Sequence, residues 1–134
     1  MSVQDVLLRF FLYYNVLIII SGLIMNYFNI GGGDAVNIGI LAGCITWLCS
    51  VFGKKNGRYF TRNEKTAVVL GFVAIDLFSQ FFFGAMALIQ SQVKVTAGAL
   101  LFAVGFVGVL HAVFIYFFVS LTKKTLIKQG IISG

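Results

Sequence analysis

The chain has 134 residues, of which 60% are hydrophobic and 10% charged, with a mean hydropathy of +1.00 and a net charge of +6. A soluble domain carries about 25% charged residues, so this composition excludes a water-soluble globule. The solvent it implies is a lipid bilayer, and the positive charge then marks loops and headgroup contacts, with no nucleic-acid partner needed.

Four apolar stretches of about 20 residues, the length that crosses a bilayer, lie near 8–30, 35–53, 66–90 and 97–121. Their apolar runs are continuous and lack the alternation of barrel strands. The expected fold is an all-α membrane protein: one domain over 1–134, a four-helix bundle made of two antiparallel hairpins.

The first stretch follows Asp5 and Arg9, without a basic cluster or a small-residue cleavage site, and reads as a retained helix and not as a secretory signal. It ends in "NIGGGD", a tight connection in which Asp34 is the expected N-cap of the second helix. That helix carries Ala35, Gly39 and Gly43 at four-residue spacing, a small-residue face suited to close helix approach within the bundle or between copies. Cys44 and Cys49 stand about 140° apart around the helix axis and cannot bridge, so they read as buried thiols.

The loop over 54–65, "KKNGRYFTRNEK", holds Lys54, Lys55, Arg58, Arg62 and Lys65. With Arg9 and with Lys123, Lys124 and Lys128 of the tail, nine of the ten basic residues fall at one end of the bundle, and Lys94 falls at the other. The positive-inside rule places that end, with both termini, in the cytoplasm. The five loop cations are candidates for contact with anionic lipid headgroups or a protein partner. Thr61 and Glu64 have capping-box spacing, in which each side chain bonds the other residue's backbone amide. Four spans and a loop of the form G-R-x-x-T-x-x-E-K, here Gly57, Arg58, Thr61, Glu64 and Lys65, resemble a group of small uncharacterised four-span bacterial inner-membrane proteins. The resemblance implies a multi-pass protein of the bacterial inner membrane and carries no activity with it.

The third stretch contains an acid, Asp76, in "VAIDLFSQFFFG", about 15 Å along the helix from its first apolar residues. His111, the single histidine, lies at the same depth on the fourth stretch, and 76 and 111 are equidistant from a turn between Val93 and Lys94. Gln80 shares a helix face with Asp76. Counted from the charged ends, Asn15 and Thr46 reach a similar level. Asp76, His111, Gln80, Asn15 and Thr46 therefore form a candidate intramembrane cluster, since an acid in the membrane core faces inward and finds a partner. Tyr13, Tyr14, Tyr27, Trp47, Tyr59 and Tyr116 include several at helix ends, where their rings suit the headgroup region.

One histidine and one buried acid supply neither a metal set nor a nucleophile–base pair, so no enzyme and no cofactor are expected. The chain has no proline, which favours a rigid bundle over the broken helices of many transporters. Two functions fit. One is a non-enzymatic subunit that binds another membrane protein or itself as a homo-oligomer. The other is a small oligomeric proton- or cation-coupled transporter using Asp76 with His111.

Overall fold

A computed structural model describes residues 1–91 and 95–133. It contains helices α1 (Val3–Phe28), α2 (Gly33–Asn56), α3 (Arg62–Ser91) and α4 (Ala97–Lys128), and no strand among the described residues. All four are long and apolar enough to cross a membrane. At their starts α1 and α3 extend past the expected apolar stretches, where polar capping boxes carry each helix beyond its apolar run. Ser2 and Asp5 form an unforeseen capping box at the start of α1. Thr61 and Glu64 form the expected one at the start of α3, with Thr61 N donating to Glu64 Oε2 at 2.8 Å and Glu64 N to Thr61 Oγ1 at 3.4 Å. Asp34 is not a cap. Gly32, at φ 92°, holds that position, and Asp34 stands free in the first turn of α2.

α1 packs against α2 and α3, and α4 packs against α2 and α3, which leaves α1/α4 and α2/α3 as the diagonals. The two hairpins thus lie side by side. One end of the bundle carries both termini and the 57–61 loop, and we call it the termini end. The other is the turn end. Lys94 and the centre of the α3–α4 turn lie outside the described residues.

Close helix approach relies on three glycines, one at each of three helix interfaces. A Cβ at Gly53 would come within 2.6 Å of Leu126 on α4, and one at Gly108 within 2.5 Å of Leu77 on α3. A Cβ at Gly71 would collide with Leu7 on α1. Gly39 and Gly43 serve no such purpose: with Ala35 they line an exposed face of α2 and have open space beside them.

The core occupies only the half of the bundle near the termini end. Val6, Phe10 and Tyr14 of α1 meet Leu41, Ile45, Leu48 and Phe52 of α2, Val68 and Phe72 of α3, and Ile115 and Val119 of α4. The loop closes this end from below. Phe60 stacks on Phe52 at 4.0 Å, and the buried Tyr59 hydroxyl donates to the Val119 carbonyl. Tyr14 and Tyr59 are therefore core residues and not headgroup anchors. In the turn-end half, residues 16–28, 33–40, 80–90 and 97–107 include no buried position. The helices there do not close around a core of their own.

These environments predict opposite outcomes for two similar changes. Gly108→Leu is expected to destabilise the protein by about 1–3 kcal/mol through overpacking. Gly43→Leu, in open space, is expected to stay within about 0.5 kcal/mol of the parent. Melting temperatures of the two variants in one detergent check this.

Candidate functional site

At the roof of the core sits Asp76, fully buried on α3. It occupies the stripe of Val68 and Phe72 at four-residue spacing, so the same helical periodicity that builds the apolar core turns this carboxylate inward. Its Oδ1 accepts from the Tyr14 hydroxyl of α1 at 2.5 Å. Its Oδ2 accepts from Gln80 Nε2, one turn along α3, at 2.7 Å, and lies 2.8 Å from His111 Nδ1 on α4. Gln80 Nε2 is also 2.9 Å from His111 Nδ1. The Tyr14 hydroxyl lies 2.9 Å from the Asn37 side-chain amide of α2. All four helices contribute to one connected network.

The distances bound its proton content. A tyrosine hydroxyl has one hydrogen. If it is given to Asp76, the Asn37 amide must present its NH₂ to the tyrosine oxygen. A single hydrogen fits the edge between Asp76 Oδ2 and His111 Nδ1. The pair is therefore either a neutral acid beside an imidazole or a carboxylate beside an Nδ1–H. With Nδ1 engaged, Nε2 is the ring nitrogen left for the cavity that His111 lines. The imidazole thus bridges a buried acid and an open space.

That cavity, about 410 Å³ in volume, lies between α2 and α4 and has Asp34, Asn37, Gln80, His111, Leu110 and Phe114 in its wall. Below the network, toward the termini end, the path is closed by Phe10, Phe72, Ile115 and Val119, all fully buried. Phe10 stacks on Tyr14 at 5.0 Å and contacts Phe72 at 4.3 Å between ring centroids, so no polar group interrupts this layer next to the acid.

Of the residues expected in the cluster, Asp76, Gln80 and His111 meet directly. Asn15 lies beside them and not within them: its Oδ1 accepts from Ser79 Oγ at 2.8 Å, and its Nδ2 donates to the Phe11 carbonyl. Thr46 takes no part. It sits on the exposed side of α2, and Asn37 supplies the α2 contact instead. The two are nine residues apart, which places them on opposite sides of a helix, about 180° apart. Depth counted from charged ends fixes level but not rotation. The available signal was the spacing of Asn37 with Leu41, Cys44 and Leu48, a single inward stripe. Tyr14 was also missed, although Val6 and Phe10 share its stripe at four-residue intervals.

The loop cations divide. Arg58 makes a two-pronged ion pair with Glu64, at 2.7 and 2.9 Å, and its guanidinium lies 5.8 Å from the Phe52 ring. This pairing raises the Arg58 pKa still further above the usual range. Lys65 donates to Ser120 Oγ at 2.9 Å and sits over the Tyr116 ring at 4.2 Å, tying α3 to α4. Lys54, Lys55 and Arg62 project from the surface. Cys44 and Cys49 are buried free thiols. No group of three metal-ligating side chains occurs among the described residues.

Four apolar helices around a buried polar network define a small multi-pass membrane protein. The chain matches no protein-family model, no curated protein and no solved structure, so its own geometry carries the functional argument.

Removing the tyrosine hydroxyl leaves Asp76 Oδ1 buried without its donor, a loss worth about 1–3 kcal/mol. Tyr14→Phe is therefore expected to lower stability by that amount, whereas Thr46→Val should change it by less than about 0.5 kcal/mol. Unfolding of both variants in mixed micelles measures the difference.

Proposed function

We propose that this protein is a non-enzymatic, proton- or cation-coupled transporter of the bacterial inner membrane, with Asp76 and His111 as its exchangeable site. The observation that carries this reading is the continuity from a cavity whose partly apolar wall holds Asp34, Asn37 and Gln80, through the His111 ring, to a fully buried carboxylate. A purely structural hydrogen-bonded cluster has no need of a cavity at its edge.

Energetics support the same reading. A carboxylate at a helix centre costs about 2.5–3.5 kcal/mol on insertion scales. Hydrogen bonds between membrane helices contribute about 0.6–1.7 kcal/mol each. The two interhelical bonds to Asp76, from Tyr14 and His111, thus roughly offset its insertion cost and leave little net stabilisation. Leucine at this position would pack without either term, so stability alone gives no reason for an acid here.

The non-enzymatic assignment is supported by the one serine at this level. Ser79 Oγ faces Asn15 and the Ile75 carbonyl, not His111. Cytoplasmic termini are supported by the charge distribution, with Lys54, Lys55, Arg58, Arg62 and Lys65 between them and anionic headgroups as their natural contacts.

A second reading, a subunit that binds another membrane protein or a further copy of itself, is favoured by a separate observation. The small-residue face of α2 points out of the bundle, beside an apolar groove formed by Tyr13, Leu17, Gly43 and Trp47. The two readings are compatible in a small oligomeric transporter.

The test uses protein reconstituted in liposomes with an internal pH dye and a panel of inorganic and organic monovalent cations. The parent should show saturable proton counterflux with at least one cation. Asp76→Asn should show none, while inserting with the same helix content. Equal flux in that variant, or its failure to insert where the parent does, counts against the site. If Gly39→Leu or Gly43→Leu abolishes co-purification of a partner while Asp76→Asn does not, the subunit reading gains.

A further inference from the structure

We infer that the α2–α4 cavity is a binding site for a small amphipathic organic monocation, an inference that rests on the transport reading and names its substrate class. Volume is the first argument. Sites for small molecules measure about 300–1,000 Å³, and this one, at about 410 Å³, lies near the lower bound.

Charge is the second. Asp34 stands in the cavity wall near the turn end, exposed and with no side-chain cap bond. The titratable groups facing the cavity and the network are Tyr14 from α1, Asp34 and Cys44 from α2, Asp76 from α3 and His111 from α4. Two carboxyl groups thus stand against one imidazole, and no lysine or arginine is in the wall, so acidic groups outnumber basic ones around the cavity. An anionic ligand would meet like charge on entry, whereas a cation is drawn in.

The wall chemistry is the third argument. Leu110 and Phe114 present apolar surface opposite the amides of Asn37 and Gln80. A cation with an apolar body satisfies both sides, and a quaternary or protonated amine gains further from the face of an aromatic ring. An inorganic cation would leave the apolar wall unused and would find few oxygen ligands.

Charge balance gives the site its coupling. One positive charge enters the cavity as the His111 Nε2–H proton passes to its water and the Asp76 acid proton moves onto Nδ1, which leaves a carboxylate beside Nδ1–H. The charge within the protein is then unchanged, and no other reactant is needed.

The probe is benzyltrimethylammonium, with neopentylbenzene as the neutral isostere and benzenesulfonate as the anion. Calorimetry on the intact protein in neutral detergent, in buffers of different ionisation enthalpy, reads both affinity and proton release. Saturable binding of the cation is expected, with the isostere and the anion at least about tenfold weaker. Asp34→Asn should weaken the cation about tenfold, and Asp34→Glu should retain it. His111→Gln should still bind but release no proton. Similar affinity for all three probes, or unchanged binding in a folded Asp34→Asn protein, overturns the inference. Asp34-dependent binding without Asp76-dependent flux refutes transport and sustains the site. Flux without Asp34-dependent binding does the reverse.

Discussion

A carboxylate removed from water has to find hydrogen-bond donors, and in this protein the nearest donors belong to other helices. Asp76 reaches Tyr14 on α1 and His111 on α4, and through Tyr14 it reaches Asn37 on α2. In hydrocarbon an unsatisfied polar group costs several kcal/mol. Rotating any helix far enough to break one of these bonds therefore carries a penalty that apolar packing alone would not impose. Leu, Ile and Phe side chains slide past one another at low cost, whereas this network has a single register. The acid consequently fixes how the hairpins face each other, even though its net contribution to stability is small.

The same layer divides the molecule. On its termini side, aromatic and branched side chains fill the space between helices, and Tyr59 and Phe60 of the loop close the end. Farther toward the turn than Ser79 and Gly108 no described residue is buried, and the helices there present most of their apolar residues outward. The difference follows from the positions of the close-approach glycines. Gly53 and Gly71 lie on the termini side of the Asp76 layer and Gly108 less than one turn beyond it, so backbones meet up to that level, while Gly39 and Gly43 face away from the bundle. The polar network sits where close packing stops and space for a ligand begins.

Much of this was legible from residues alone, and the failures have a common cause. Span number follows from hydropathy, because lipid leaves continuous apolar helices as the only solution for such runs. The level match of Asp76 with His111 follows from counting along an antiparallel hairpin, since rise per residue is constant. Gln80 follows from helical periodicity. Rotation about a helix axis is different. In lipid the outward face is as apolar as the inward one, so α2 gives little indication of which side is buried. Depth alone places Thr46 inward, whereas the stripe with Leu41 and Leu48 points to Asn37. Tyr14 falls among the aromatics of which several lie at helix ends and suit the headgroup region. Only its spacing from Val6 and Phe10 marked it as core. Polar side chains inside a membrane protein are thus located more reliably from helical stripes than from depth.

The arrangement of donors around Asp76 also determines what a change of protonation would do. His111 lies on the same hairpin as the acid, whereas Tyr14 lies on the other, so the proton is exchanged within one hairpin and felt across the interface between two. A hydrogen bond to a carboxylate is roughly twice as strong as one to a neutral acid. Protonating Asp76 weakens the Tyr14 tie, and with it the link to Asn37, while leaving the helices themselves intact. In a proline-free bundle whose described helices are unbroken, relative movement of two rigid hairpins is the simplest way in which the proposed transporter would change access to a site closed toward the termini end. The Tyr14–Asp76 bond is the polar contact across that boundary whose strength depends on the protonation of Asp76, so in the proposed transporter control of the movement would lie at the carboxylate itself.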